Sequence, residues 1–79
     1  MKVTVICYGA MRDYLPRDAH ENRAEVPLTD EASIGDLVDR MGAPRRLASA
    51  VLVGEDRADL DFILSDGMQV TLMPPFTGG

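Results

Sequence analysis

Ser33-Ile34-Gly35-Asp36-Leu37-Val38-Asp39-Arg40-Met41-Gly42 is the stretch that decides how this chain folds. Ile34, Leu37, Val38 and Met41 recur at i, i+3, i+4 and i+7, which puts them on one face of an amphipathic helix. Asp30 or Ser33 can cap its start, and Ser33 with Asp36 three residues on resembles a capping box whose Asp replaces the usual Glu. Gly42 closes the helix and Pro44 confirms the stop. One apolar stripe needs a second layer to cover it, so the rest of the chain has to supply that layer.

Working outward, strands supply it. Val3-Thr4-Val5-Ile6-Cys7-Tyr8 is rich in β-branched and aromatic residues and ends at Gly9, which predicts a central strand apolar on both faces. Met11 to Leu15 reads as a helical turn before Pro16, and Arg17 to Arg23 as a polar, mobile loop. Ala24 to Leu28 reads as a short, Pro-limited strand, the hairpin partner of the first. Beyond the helix, Ala50 to Val53 is a third strand, Gly54 to Arg57 a turn, and Arg57 to Leu60 a short return strand. Asp66-Gly67 makes a tight turn into a last strand, Met68 to Met73, with one buried face. The order predicts an α+β architecture in which a mixed sheet of four to five strands packs on one main helix. The first and last strands are the longest apolar runs and are expected side by side in the centre.

From a central last strand the chain runs out into Pro74-Pro75-Phe76-Thr77-Gly78-Gly79. The prolines end sheet pairing and favour an extended path, and six residues at ~3.3 Å each reach roughly 20 Å. Gly78 and Gly79 carry no side chains and would thread a channel in which a Cβ clashes. The division expected is a domain over residues 1–73 and an extended tail over 74–79. The terminal carboxylate of Gly79 is the expected reactive group, delivered into a narrow site on a partner.

Bulk properties set limits. Seventy-nine residues allow one domain, and 46% hydrophobic with 27% charged residues is ordinary for a globular protein. The net charge of −5 argues against binding nucleic acid, which needs clustered Lys and Arg, and suits solubility and steering toward a basic partner surface. Cys7 is the only cysteine, so no intramolecular disulfide or CxxC pair forms, and a reducing cytoplasm is the expected location. Met1-Lys2 runs straight into the first strand, too early for a signal-peptide hydrophobic region, and no run approaches the ~20 apolar residues of a membrane span.

The opening strand Val3 to Tyr8, the helix signature Ser33-Ile34-Gly35-Asp36-Leu37, the turn Leu64-Ser65-Asp66-Gly67-Met68 and the ending Pro74 to Gly79 together resemble the β-grasp, ubiquitin-like sulfur-carrier family. That family includes the small subunit of molybdopterin synthase and the sulfur carrier of thiamine biosynthesis. The resemblance implies that an ATP-dependent, E1-like adenylating enzyme activates Gly79. A persulfide donor then converts it to a thiocarboxylate, and sulfur passes to a cofactor precursor, molybdopterin by the Pro-Pro-x-x-Gly-Gly form. It implies no cofactor held by this chain, ATP being used by the partner, and a synthase large subunit as a further partner. Carried onto this sequence, Gly79 reacts, Gly78 and Thr77 thread the partner's channel, and Phe76, Pro75, Pro74 and Leu72 bind the partner. Phe76 stands where the family commonly has a small aliphatic residue, which points to a differently shaped groove. A modifier joined to lysines through Gly79, a carrier for thiamine or another product, and a plain interaction module are the alternatives.

The other chemistry-bearing residues have plainer readings. Cys7 is a small buried hydrophobe on the first strand. His20 lacks neighbouring ligands, so no metal site is expected. Asp36, Asp39, Asp59 and Asp61 form a solvated face, with no partner base to make them acid/base pairs. Met41 and Met73 belong to packing, and Arg45-Arg46 is the only basic cluster, either solvated or facing an acidic rim on a partner.

Overall fold

The computed structural model describes residues 1–48 and 50–73. Among these residues five strands, β1 (Lys2–Cys7), β2 (Arg23–Pro27), β3 (Ala50–Val53), β4 (Asp56–Arg57) and β5 (Gln69–Met73), form one mixed sheet in the order β2-β1-β5-β3-β4. One α-helix, α1 (Ile34–Arg40), packs on it. β1 and β5 lie side by side in parallel, Thr4 opposite Gln69 and Cys7 opposite Leu72, while β2, β3 and β4 pair antiparallel with their neighbours. This is the expected β-grasp arrangement, with the first and last strands adjacent in the interior of the sheet.

α1 has seven residues, too few to be stable alone, so capping and packing hold it. The capping box forms in full: Ser33 Oγ accepts from the Asp36 N–H at 3.1 Å and Asp36 Oδ2 accepts from the Ser33 N–H at 2.9 Å. At the other end Gly42, at φ +80°, donates to the Asp39 carbonyl and Ala43 to that of Val38, a Schellman close in a conformation costly for a side chain. Ile34, Leu37 and Val38 are fully buried and Met41 half-buried. Fully burying three such aliphatic side chains is worth about 6 kcal/mol as an upper bound.

β1 departs from its expected pattern. Val3, Val5 and Cys7 are buried, but Thr4 and Ile6 on the other face are half-exposed, because α1 covers only one side of the sheet. A continuous apolar run therefore does not mark a strand buried on both faces here. Leu72 departs as well. It is 0% exposed, on the inner face beside Cys7 and Val51, so it belongs to the core and cannot contact a partner. Its neighbours Thr71 and Met73 take the outward positions because side chains alternate along a strand.

Smaller differences arise in the turns. The helical turn expected at Met11–Leu15 is a 3₁₀ turn over Gly9–Tyr14 that buries Met11. Within the polar stretch Arg17–Arg23, His20 and Arg23 exchange backbone hydrogen bonds of 2.8 and 3.0 Å around Glu21 and Asn22, whose φ values of 54° and 65° are those of a tight hairpin turn. The return strand lies at Asp56–Arg57 rather than Arg57–Leu60. Residues 60 to 64 instead run along the start of α1, with the Ile34 N–H donating to the Phe62 carbonyl and the Leu64 N–H to that of Ala32.

Candidate functional site

The sheet has a covered face and an open one. On the open face, the registers place Arg23, Ile6, Thr71, Leu52 and Arg57 in one row across β2, β1, β5, β3 and β4. Ile6, Thr71 and Leu52 are half-exposed, and the two arginines at the margins are exposed. Further along β5, Met73 lies opposite Ala50. On the β1 side the Tyr8 N–H donates to the Leu72 carbonyl at 3.1 Å, and Tyr8 is 48% exposed. The result is a band of apolar surface, flanked by Arg23 and Arg57, on the end of the sheet from which the chain leaves β5. Such a band on a small domain is the kind of surface a partner covers.

Leu72, expected at a partner surface, is buried, and the apolar side chains that do reach the open face here are Met73, Leu52, Ile6 and Tyr8. Period-2 alternation was the signal available: it groups Leu72 with Val70 on the apolar face and Met73 with Gln69 and Thr71 on the other. The remaining expected site residues, Pro74, Pro75, Phe76, Thr77, Gly78 and Gly79, lie outside the described residues.

Other titratable groups take structural roles. Arg45 grips Asp39 with two hydrogen bonds, Nε to Oδ1 at 3.0 Å and Nη2 to Oδ2 at 2.8 Å. That fork holds the Asp39 carboxyl below its ordinary range. Gly35 allows the approach, since a Cβ there would sit 3.0 Å from the Arg45 guanidinium carbon. Asp36 is used in the capping box, so this acidic face is a set of helix restraints rather than an acid/base pair. Burial pushes the Cys7 thiol up to about 11, so at neutral pH it is protonated and enclosed. The His20 side chain is 89% exposed, 3.9 Å from Glu21, and among the described residues no three His, Cys, Asp or Glu side chains gather as a metal would require. No helix among them is long and apolar enough to cross a membrane.

The model of the Mut7-C ubiquitin family matches residues 1–78. The chain belongs to that family. No curated protein matches it. Among solved structures, this Mut7-C ubiquitin chain is similar to SAMP1 from Haloferax volcanii, with a TM-score of 0.71 and 22% identity over 100% of both chains. A second structure, H. volcanii small archaeal modifier protein 1, aligns with a TM-score of 0.70 and 20% identity over 95% of this chain and 98% of that one. A putative molybdopterin converting factor, subunit 1, from Pyrococcus furiosus aligns at 0.68 and 20%, with the same coverage of 95% and 98%. At these identities the likeness establishes the ubiquitin-like β-grasp fold.

Proposed function

We propose that this Mut7-C ubiquitin chain is a sulfur-carrier protein, a co-substrate whose Gly79 carboxylate cycles through an acyl-adenylate to a thiocarboxylate that donates sulfur in cofactor biosynthesis, molybdopterin first. The observation that carries the reading is the position of β5: an interior strand that ends beside the apolar band of Ile6, Leu52, Met73 and Tyr8, with residues 74–79 next in the chain. The fold shared with a molybdopterin converting factor subunit supports it.

The chemistry stems from the group presented. An α-carboxylate has a pKa near 3.5, is ionised at pH 7, and is a poor electrophile until it becomes a mixed anhydride. An E1-like adenylating enzyme supplies that step from ATP, a persulfide sulfur displaces AMP to give an acyl disulfide, a thiol cleaves that disulfide to release the thiocarboxylate, and a synthase large subunit receives the sulfur. In this reading Gly79 reacts, Gly78 and Thr77 thread the enzyme's channel, and Pro74, Pro75 and Phe76 set the tail's direction. The apolar band docks, while Arg23 and Arg57 meet carboxylates on the partner's rim. The cytoplasm, where thiols stay reduced, is the proposed location.

The test is incubation with an adenylating enzyme, ATP, a persulfide donor and a thiol reductant, read by intact and peptide mass. An oxygen-to-sulfur mass gain confined to the C-terminal peptide is expected, and its absence overturns the carrier reading. A second reading, a modifier conjugated through Gly79, is favoured by the fold shared with a small archaeal modifier protein. Gly79-linked peptides on cellular proteins, without thiocarboxylate, would establish it in place of the first.

A further inference from the structure

β2 is an edge strand, paired with β1 on one side and with no strand among the described residues on the other. Its backbone groups alternate in direction. Met1 and Leu28 exchange N–H to C=O bonds of 2.9 and 2.8 Å, and the Cys7 N–H donates to the Asn22 carbonyl at 2.9 Å. Asn22, Ala24, Val26 and Leu28 therefore face β1, while Arg23, Glu25 and Pro27 turn their backbone groups outward. Arg23 is closed, because it exchanges bonds of 2.8 and 3.0 Å with His20, and Pro27 has no N–H. What stays open along the edge is the N–H and C=O of Glu25 and the C=O of Pro27.

Beside this edge, between the end of β2 and α1, lies a groove of about 470 Å³ lined by Pro27, Leu28, Thr29, Ala32, Asp36 and Arg40. Leu28 is half-buried and Ala32 buried, which makes part of the lining apolar. The Asp36 carboxylate already accepts from the Ser33 N–H, whereas Arg40 is exposed and forms no ion pair among the described residues.

We propose that this edge and groove bind an extended segment of another protein, which adds to the sheet as a further strand beside β2. An extended chain presents N–H and C=O groups at the alternation left open at Glu25 and Pro27. Every second side chain of such a segment projects on the α1 side of the sheet, toward the groove, where an aliphatic group meets Leu28 and Ala32 and a carboxylate meets Arg40. A second copy of this chain is a poorer occupant. Two β2 strands paired antiparallel in the register that satisfies both Glu25 groups set the two Glu25 side chains directly opposite each other, and like charges there repel. The site goes beyond the carrier reading and does not depend on the chemistry of Gly79.

The probe is a short capped peptide in which threonines alternate with valine, glutamate and valine, titrated into the isotope-labelled full chain and followed by amide shifts and hydrogen exchange. Shifts at Ala24 to Leu28, Ala32 and Arg40 are expected, with exchange of the Glu25 N–H slowed at least about tenfold at saturation. N-methylating the threonines, whose amides face β2, should weaken binding at least about tenfold, while N-methylating the valines and glutamate, whose amides face away, should change it less than about threefold. Arg40→Ala, or glutamine in place of the peptide's glutamate, should each weaken binding about threefold, and both together no more than either alone. Shifts centred on Ile6, Thr71 and Leu52, no binding at about 1 mM peptide, equal binding of the two N-methylated peptides, or unchanged binding by Arg40→Ala would overturn the proposal. So would protection of the Glu25 N–H that grows with the concentration of the free chain, because a second copy then covers the edge.

Discussion

Leu72 and Met73 are adjacent in sequence and opposite in work. Leu72 points between the sheet and α1 with no exposure, beside Cys7 and Val51, while Met73 turns outward opposite Ala50 at the end of the sheet. The same contrast runs through β1, where Val5 is buried and Ile6 is half-exposed. One face of the sheet is stability and the other is available surface, although apolar side chains occur on both. A single apolar residue therefore does not by itself mark the core in a domain whose α1 covers one side of the sheet.

Substitutions that separate the faces test this most directly. Leu72→Ala should have the largest effect, a loss of about 3 kcal/mol from lost burial and the cavity left behind, measured by urea unfolding. Next to it, Cys7 gives the inner face a pH signature. With the folded thiol raised from 9.0 to about 11, the unfolded chain releases its proton first, so stability is complete below pH 9 and falls as pH rises toward 11. The loss should total about 3 kcal/mol, and Cys7→Ala should remove that alkaline slope while lowering stability below pH 9.

On the open face the order of effects reverses. Ile6→Ser combined with Leu52→Ser should cost about 2 kcal/mol of stability, less for two residues than Leu72→Ala costs for one. Activation by the adenylating enzyme, read as kcat/KM, should fall at least about tenfold. Equal losses in both measurements would break the distinction between the faces. Away from the sheet, Ser33→Ala should cost about 1 kcal/mol by opening the capping box, with activation unchanged. Asp39→Asn should have the smallest effect, because its pair with Arg45 is exposed. Its sign is still defined: the carboxyl is held low in the folded state, so its contribution is present above the ordinary carboxylate range and is lost as pH falls through the folded value.

Much of the fold was legible because local signals carried it, whereas the expected site residues 74–79 lie outside the described residues. The capping box at Ser33 and Asp36, the close at Gly42 and the single apolar stripe specify α1 from neighbours within one or two turns. The alternation of Val70 and Leu72 with Gln69 and Thr71 specifies β5 as a strand with two unlike faces. The tight turn at Glu21-Asn22 was not legible, since neither residue is a glycine and positive φ is uncommon without one. The Asp39–Arg45 fork was also hidden, because it depends on how the segment after α1 turns back across Gly35.

Sequence thus establishes most of the elements, their order, the interior pairing of the first and last strands and the two glycines at positions 78 and 79, all properties of short-range chemistry or of composition. Packing in three dimensions assigns Leu72 inward and Met73 outward, leaves Ile6 and Leu52 uncovered between Arg23 and Arg57, and sets Lys2 at the opposite end of the sheet from Met73. The reason is that alternation marks the more apolar face of a strand but not how far the other face is covered. That extent is set by the one helix, which buries its stripe against a single side.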